Sequence, residues 1–89
     1  MSNAGTSELS HRAISMLRAV AAGRAELTCS CEPDLRIDSL LCCDQATARL
    51  LFHSGLIEPT ANVAIGQWTT AGLTPAGENA LAEAEPHAA

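Results

Sequence analysis

The chain has 89 residues, a formal net charge of −5 and no lysine, so that arginine supplies all five of its fixed cations. This length holds one small domain around one core, and with 47% hydrophobic residues but only Phe52 and Trp68 as aromatics that core must be aliphatic, thin and modestly stable. The acidity excludes extensive non-specific DNA binding, which depends on cations set along the phosphates, and no apolar run approaches the roughly 20 residues that span a bilayer.

Met1 to Ser7 are small and polar, and residues 1–8 are expected to form a disordered leader, with a single domain over 9–85 and a tail at 86–89. The start lacks the basic-then-apolar layout of a secretion signal, which points to the cytoplasm. Ser10 is a good N-cap for a first helix, with Leu9 and Ile14 as a hydrophobic staple. Ile14, Leu17 and Ala21, flanked by Ala13, Met16 and Val20, supply the 3.6-residue stripe, and Gly23 ends it.

From Arg24 to Asp38 the period changes to two. Leu27, Cys29 and Cys31 alternate with Glu26, Thr28 and Ser30, and Leu35 and Ile37 alternate with Arg36 and Asp38, which predicts two short strands joined by a turn at Glu32-Pro33-Asp34. Residues 35–43 can also be drawn as a poor helix with Leu35, Ser39 and Cys42 on one side. The strand reading fits the pattern better.

Asp44 then caps a short amphipathic helix that Gly55 ends in a Schellman motif, with Leu56 folding back over Leu51. On a helical wheel Thr47, Leu50, Leu51 and Ser54 share one side, while Gln45, Arg49 and His53 form an i, i+4 stripe on the other. The first side is expected to pack and the second to face outward. Beyond it, Pro59-Thr-Ala-Asn62 reads as a turn, Val63, Ile65 and Trp68 suggest a strand, and Thr69-Thr-Ala-Gly72 suggests the bend of a hairpin over 63–72. Thr74-Pro75 opens a last helix with a hydroxyl cap and proline at its first position. That helix carries Ala80, Leu81 and Ala84 on one side.

Gly55-Leu-Ile-Glu-Pro59 after an amphipathic helix, followed downstream by Gly72-Leu-Thr-Pro-Ala-Gly77, resembles bacterial winged helix-turn-helix regulators of the multiple-antibiotic-resistance and PadR-like kind, over residues 44–82. The resemblance implies an α+β fold, a small winged-helix-like domain of three main helices with a small antiparallel sheet. It further implies a transcriptional regulator that contacts double-stranded DNA as a homodimer, reading the major groove through Gln45, Arg49 and His53. The 63–72 hairpin then serves as the wing. The segment 35–43, where a second helix belongs in that pattern, departs from it.

Gln and Arg are the side chains that read adenine and guanine edges by paired hydrogen bonds, so Gln45, Arg49 and His53, with Arg36 as a further cation, are the candidate nucleic-acid contacts. An ordinary solvated polar face is the competing reading. A protein-interaction module on the same fold, docking a partner through Phe52 and Trp68, is the alternative that the acidity favours. Cys29, Cys31, Cys42 and Cys43 are enough thiols for a tetrahedral zinc site, but adjacent Cys42 and Cys43 diverge in any regular element, and Cys29 and Cys31 are expected to fill the core as small hydrophobes. Phosphate loop, nucleophile elbow and zinc-protease pair are all missing from the sequence, and the histidines at 11, 53 and 87 lack an acidic partner at a telling spacing. The chain therefore reads as a non-enzyme without a cofactor.

Overall fold

The computed structural model describes residues 9–84. In chain order it contains α1 (His11–Ala21), β1 (Ala25–Thr28), β2 (Leu35–Ile37), β3 (Leu40–Leu41), α2 (Gln45–His53), β4 (Ile57–Pro59), β5 (Trp68–Leu73) and α3 (Pro75–Ala84). The strands form one antiparallel sheet in the order β3-β2-β1-β5-β4. The chain is thus an α+β domain of three helices and a five-stranded sheet, as its sequence implies. The expected leader at 1–8 and tail at 86–89 lie outside the described residues.

The helix ends follow the local chemistry. The Ser10 hydroxyl accepts the Ala13 amide at 3.1 Å, and α1 closes on Gly23 at φ +79, with the Gly23 amide donating to Val20 O and the Arg24 amide to Ala19 O. α2 ends the same way: Gly55 has φ +76, its amide donates to Phe52 O, and the Leu56 amide donates to Leu51 O. These are the two bonds of a Schellman motif. Both helices therefore turn sharply into a strand.

Residues 35–43 form a hairpin rather than a helix. β2 and β3 are joined by Asp38 and Ser39, both with positive φ, 53 and 68, the signature of a two-residue type I′ turn. Arg24 secures that turn by a bidentate pair to Asp38, with bonds of 3.0 and 3.2 Å. The expected strand at 27–31 stops earlier, at Thr28, because the Thr28 hydroxyl accepts the Asp34 amide at 2.8 Å and turns the chain into the loop.

The second hairpin is displaced from its predicted position. Its strands are β4 and β5, with Thr60 to Gln67 as the loop, so Val63 and Ile65 are loop residues and Thr69 to Gly72 lie within a strand. Pro59 is tolerated because β4 is an edge strand whose outer side needs no donor. Thr69 and Thr70 are β-branched residues suited to the pleat.

All three helices pack on one face of the sheet. Leu17, Leu27, Leu35, Leu51 and Ile57 are fully buried there, with Ala13, Met16, Val20, Ala25, Ala48, Ala71 and Ala80 around them. Each such leucine or isoleucine contributes about 1.5–3 kcal/mol by leaving water. The opposite face carries Glu26, Arg36 and Trp68 and no covering helix. Among the described residues no helix is long and apolar enough to cross a membrane.

α3 approaches the core only because residue 77 is glycine. A Cβ there would collide with the Leu56 carbonyl, whose oxygen also accepts the Thr74 amide at 3.1 Å. Gly77→Ala is therefore expected to destabilise the domain by about 3 kcal/mol, read as a lowered denaturation midpoint; an unchanged midpoint would mean that α3 sits farther from the sheet.

Candidate functional site

The candidate residues are organised by α2. Its N-cap Asp44 accepts the Thr47 amide at 3.0 Å, the Thr47 hydroxyl at 2.6 Å and the Arg12 guanidinium at 3.2 Å. The Thr47 hydroxyl, then the Thr47 amide and Arg12, hold the Asp44 carboxyl below the usual aspartate range. Asp44 lies in an open polar groove of about 690 Å³ that Ser10, His11, Arg12, Ser15 and Thr47 also line.

Gln45, Arg49 and His53 do form one stripe, but it is engaged by the chain itself, Gln45 by Leu35 and Cys42 and the partly exposed Arg49 and exposed His53 by the β1–β2 loop. The Gln45 amide nitrogen donates to Leu35 O at 2.9 Å and to Cys42 O at 2.6 Å, and its oxygen accepts the Leu35 amide at 2.8 Å. Arg49 donates to Asp34 at 2.6 Å and to the Pro33 carbonyl at 3.4 Å. His53 Nε2 lies 2.9 Å from a Glu32 oxygen. The helix is rotated from the expected orientation, with Ala48 and Leu51 buried and Leu50 59% exposed.

The pairing has a metric basis. Residues four apart on a helix are separated by about 6 Å along its axis, and residues two apart on an extended chain by about 6.6 Å, so Glu32 and Asp34 match His53 and Arg49. Two acids spaced by two, opposite two bases spaced by four, was a signal present in the sequence that a single-helix wheel does not read.

The remaining candidates are dispersed. Arg36 projects from the open sheet face, where it pairs with Glu26 at 2.6 Å and lies 4.2 Å from the centroid of the Trp68 ring. It does not join the α2 stripe. Phe52 packs against the core from the helical side, edge-on to the His53 ring at 5.3 Å. Phe52 and Trp68 thus occupy opposite sides of the sheet and form no common rim.

The cysteines do not converge. All four are free thiols, Cys29 and Cys42 half-buried and Cys31 and Cys43 exposed, and Cys42 alone of them packs on the core. Burial of the Cys29 and Cys31 pair is overturned because the strand ends before them and Cys31 enters the loop. Among the described residues no group of three or more His, Cys, Asp or Glu side chains is placed to hold a metal ion.

Two features escaped sequence reasoning. The first is a set of large apolar side chains in solvent: Leu40 and Leu41 on edge strand β3, Leu50 on α2, and Ile65 in the β4–β5 loop. The second is an open apolar groove of about 460 Å³ where the end of α1, β5 and α3 meet, lined by Val20, Ala21, Leu73, Leu81 and Ala82, with Glu78 as its one charged lining residue.

Gln45→Ala is expected to cost about 2–3 kcal/mol of stability because it strands the half-buried Leu35 amide and the Cys42 carbonyl. Arg49→Ala, breaking a partly exposed pair, should cost about 1 kcal/mol or less; equilibrium denaturation of the two variants checks the order, and equal small effects would contradict the inward orientation. Arg24 hydrogen bonding likewise holds the Asp38 carboxyl below its ordinary range. Depressed folded-state values stabilise fully above the unfolded aspartate value of about 4 and lose that contribution as pH falls through the lower folded values. The thermal midpoint should therefore be flat from neutral pH to about 5 and fall below about 4, with a shallower fall in Asp38→Asn; a midpoint independent of acid pH would contradict the pairing.

No family model matches the chain, and comparison with characterised proteins and with solved structures likewise gives no match.

Proposed function

We propose that this chain is a non-enzymatic protein-interaction module acting in the cytoplasm. The observation that carries the reading is the engagement of its cations: Arg12, Arg24, Arg36 and Arg49 each bond an acid of the same chain, and Arg18 also has its own interaction. DNA recognition needs cations free to replace counterions at phosphates. Here they neutralise Asp44, Asp38, Glu26 and Asp34 instead, while Leu40, Leu41, Leu50 and Ile65 remain uncovered. Uncovered large apolar side chains with a net negative charge suit a protein partner better than a polyanion.

A second reading, a winged-helix transcriptional regulator binding DNA as a homodimer, is favoured by one specific feature. Gly55-Leu-Ile-Glu-Pro59 connects α2 to β4, and Gly72-Leu-Thr-Pro-Ala-Gly77 connects β5 to α3, the connections that the resemblance implies. On this reading Arg49 must exchange Asp34 for a base or phosphate, and Gln45 must release the Leu35 backbone.

Titration of the full chain against random-sequence duplex DNA across a salt series separates the two. The interaction-module reading expects no binding even at the lowest salt. Binding that weakens linearly in log salt, by about 0.9 in slope per phosphate contacted, would overturn it in favour of DNA.

A further inference from the structure

We infer that the groove between α1, β5 and α3 is a docking site for a basic amphipathic segment of a different protein. The inference rests on the interaction-module reading and names the surface and the class of partner. The groove arises from local chemistry. α1 ends at Ala21 because Gly23 turns the chain away, and α3 is drawn toward the sheet at Gly77, where it contacts the Leu56 backbone. Between the two helices the facing side chains are small, Ala21 and Ala82, so the space above Leu73 is left open.

The occupant follows from chemistry and charge. The floor and walls, Val20, Leu73 and Leu81 with the two alanines, accept an aliphatic side chain, as do the grooves that hold helical peptides by i, i+3 or i+4 anchors. Glu78 is the one charge on the lining. Its backbone amide caps onto the Thr74 carbonyl at 2.9 Å, but among the described residues its carboxylate has no counter-ion, unlike Glu26, Asp34, Asp38 and Asp44. An unpaired carboxylate beside an apolar groove, on a chain of net charge −5, favours a cation next to the apolar anchor.

A second copy could supply that cation only by giving up one of its own contacts. The chain has no lysine, and each of its five arginines is already engaged within its own fold. Recruiting one would break an existing pair. The complementary segment therefore belongs to another protein, with lysine or arginine one helical turn from its aliphatic anchor.

The test is heteronuclear NMR titration of the full chain with a synthetic amphipathic peptide of leucine and lysine, beside a control peptide in which every lysine is glutamate. The expected result is saturable shifts centred on Val20, Leu73, Glu78 and Leu81 with the lysine peptide, and none with the glutamate peptide. Glu78→Lys, at an exposed position, should weaken binding about tenfold with the spectrum otherwise unchanged, and Leu81→Glu should abolish it. Shifts centred on Leu40, Leu41 and Leu50, or an undiminished affinity in Glu78→Lys, would overturn the groove while leaving the interaction-module reading intact. Concentration-dependent broadening of the groove residues without peptide would overturn it in favour of a second copy. Absence of peptide binding together with salt-dependent DNA binding would overturn both readings.

Discussion

The contact between α2 and the segment from Glu32 to Leu35 is the interaction on which the rest of this structure depends. Leu35 is the last fully buried leucine before α2, and the one side chain of Gln45 bonds both its amide and its carbonyl, the carbonyl together with the Cys42 amide. A side-chain amide has the donor and acceptor geometry of a peptide group. Gln45 thus supplies Leu35 with backbone-like hydrogen bonds, and sets how deeply Leu51 and Ala48 enter the core. Arg49 and His53 continue the contact along Asp34 and Glu32. The loop is thereby held against the helix from Glu32 to Asp34.

This arrangement decides the surface. A cation paired with an acid of the same chain is screened from any outside polyanion, and the exposed pairs add little stability. The consequence of the pairing is therefore electrostatic more than energetic. Arg12, Arg24, Arg36 and Arg49 are each neutralised by an acid of the chain, and among the described residues Glu58 and Glu78 have no arginine partner. Large apolar side chains of β3 and of the β4–β5 loop are exposed as well. The open sheet face follows the same rule, since Arg36 covers Trp68 and is itself held by Glu26.

The thin core constrains the helices in turn. With alanine at positions 13, 25, 48, 71 and 80 of the core cluster, close approach of backbones replaces bulk of side chains. Gly77 is the extreme case, where α3 meets the Leu56 carbonyl with no side chain between them. Small residues at the contacts also leave the cleft between α1 and α3, so the groove is a by-product of the way this core economises on volume.

What the sequence determined by itself was local. Ser10, Asp44 and Thr74 as caps, Gly23 and Gly55 as helix ends, and the alternation around Leu27 and Leu35 were all legible, because each depends on groups within a few residues of one another. The helices and first strands were readable from them, and the resemblance of residues 44–82 implied the α+β class. The azimuth of α2 did not follow. A periodic pattern sets which residues share a side, and Gln45, Arg49 and His53 do share one. The side that faces solvent was decided by a loop ten to twenty-one residues earlier in the chain. The same holds for β3, too short and too uniformly apolar to show alternation, for the register of the second hairpin, and for the separation of Arg36 from α2 and of Phe52 from Trp68 by the sheet. These are long-range choices, made when strands pair and loops close, and the free energy that decides them belongs to the assembled core and its hydrogen bonds instead of to any one segment.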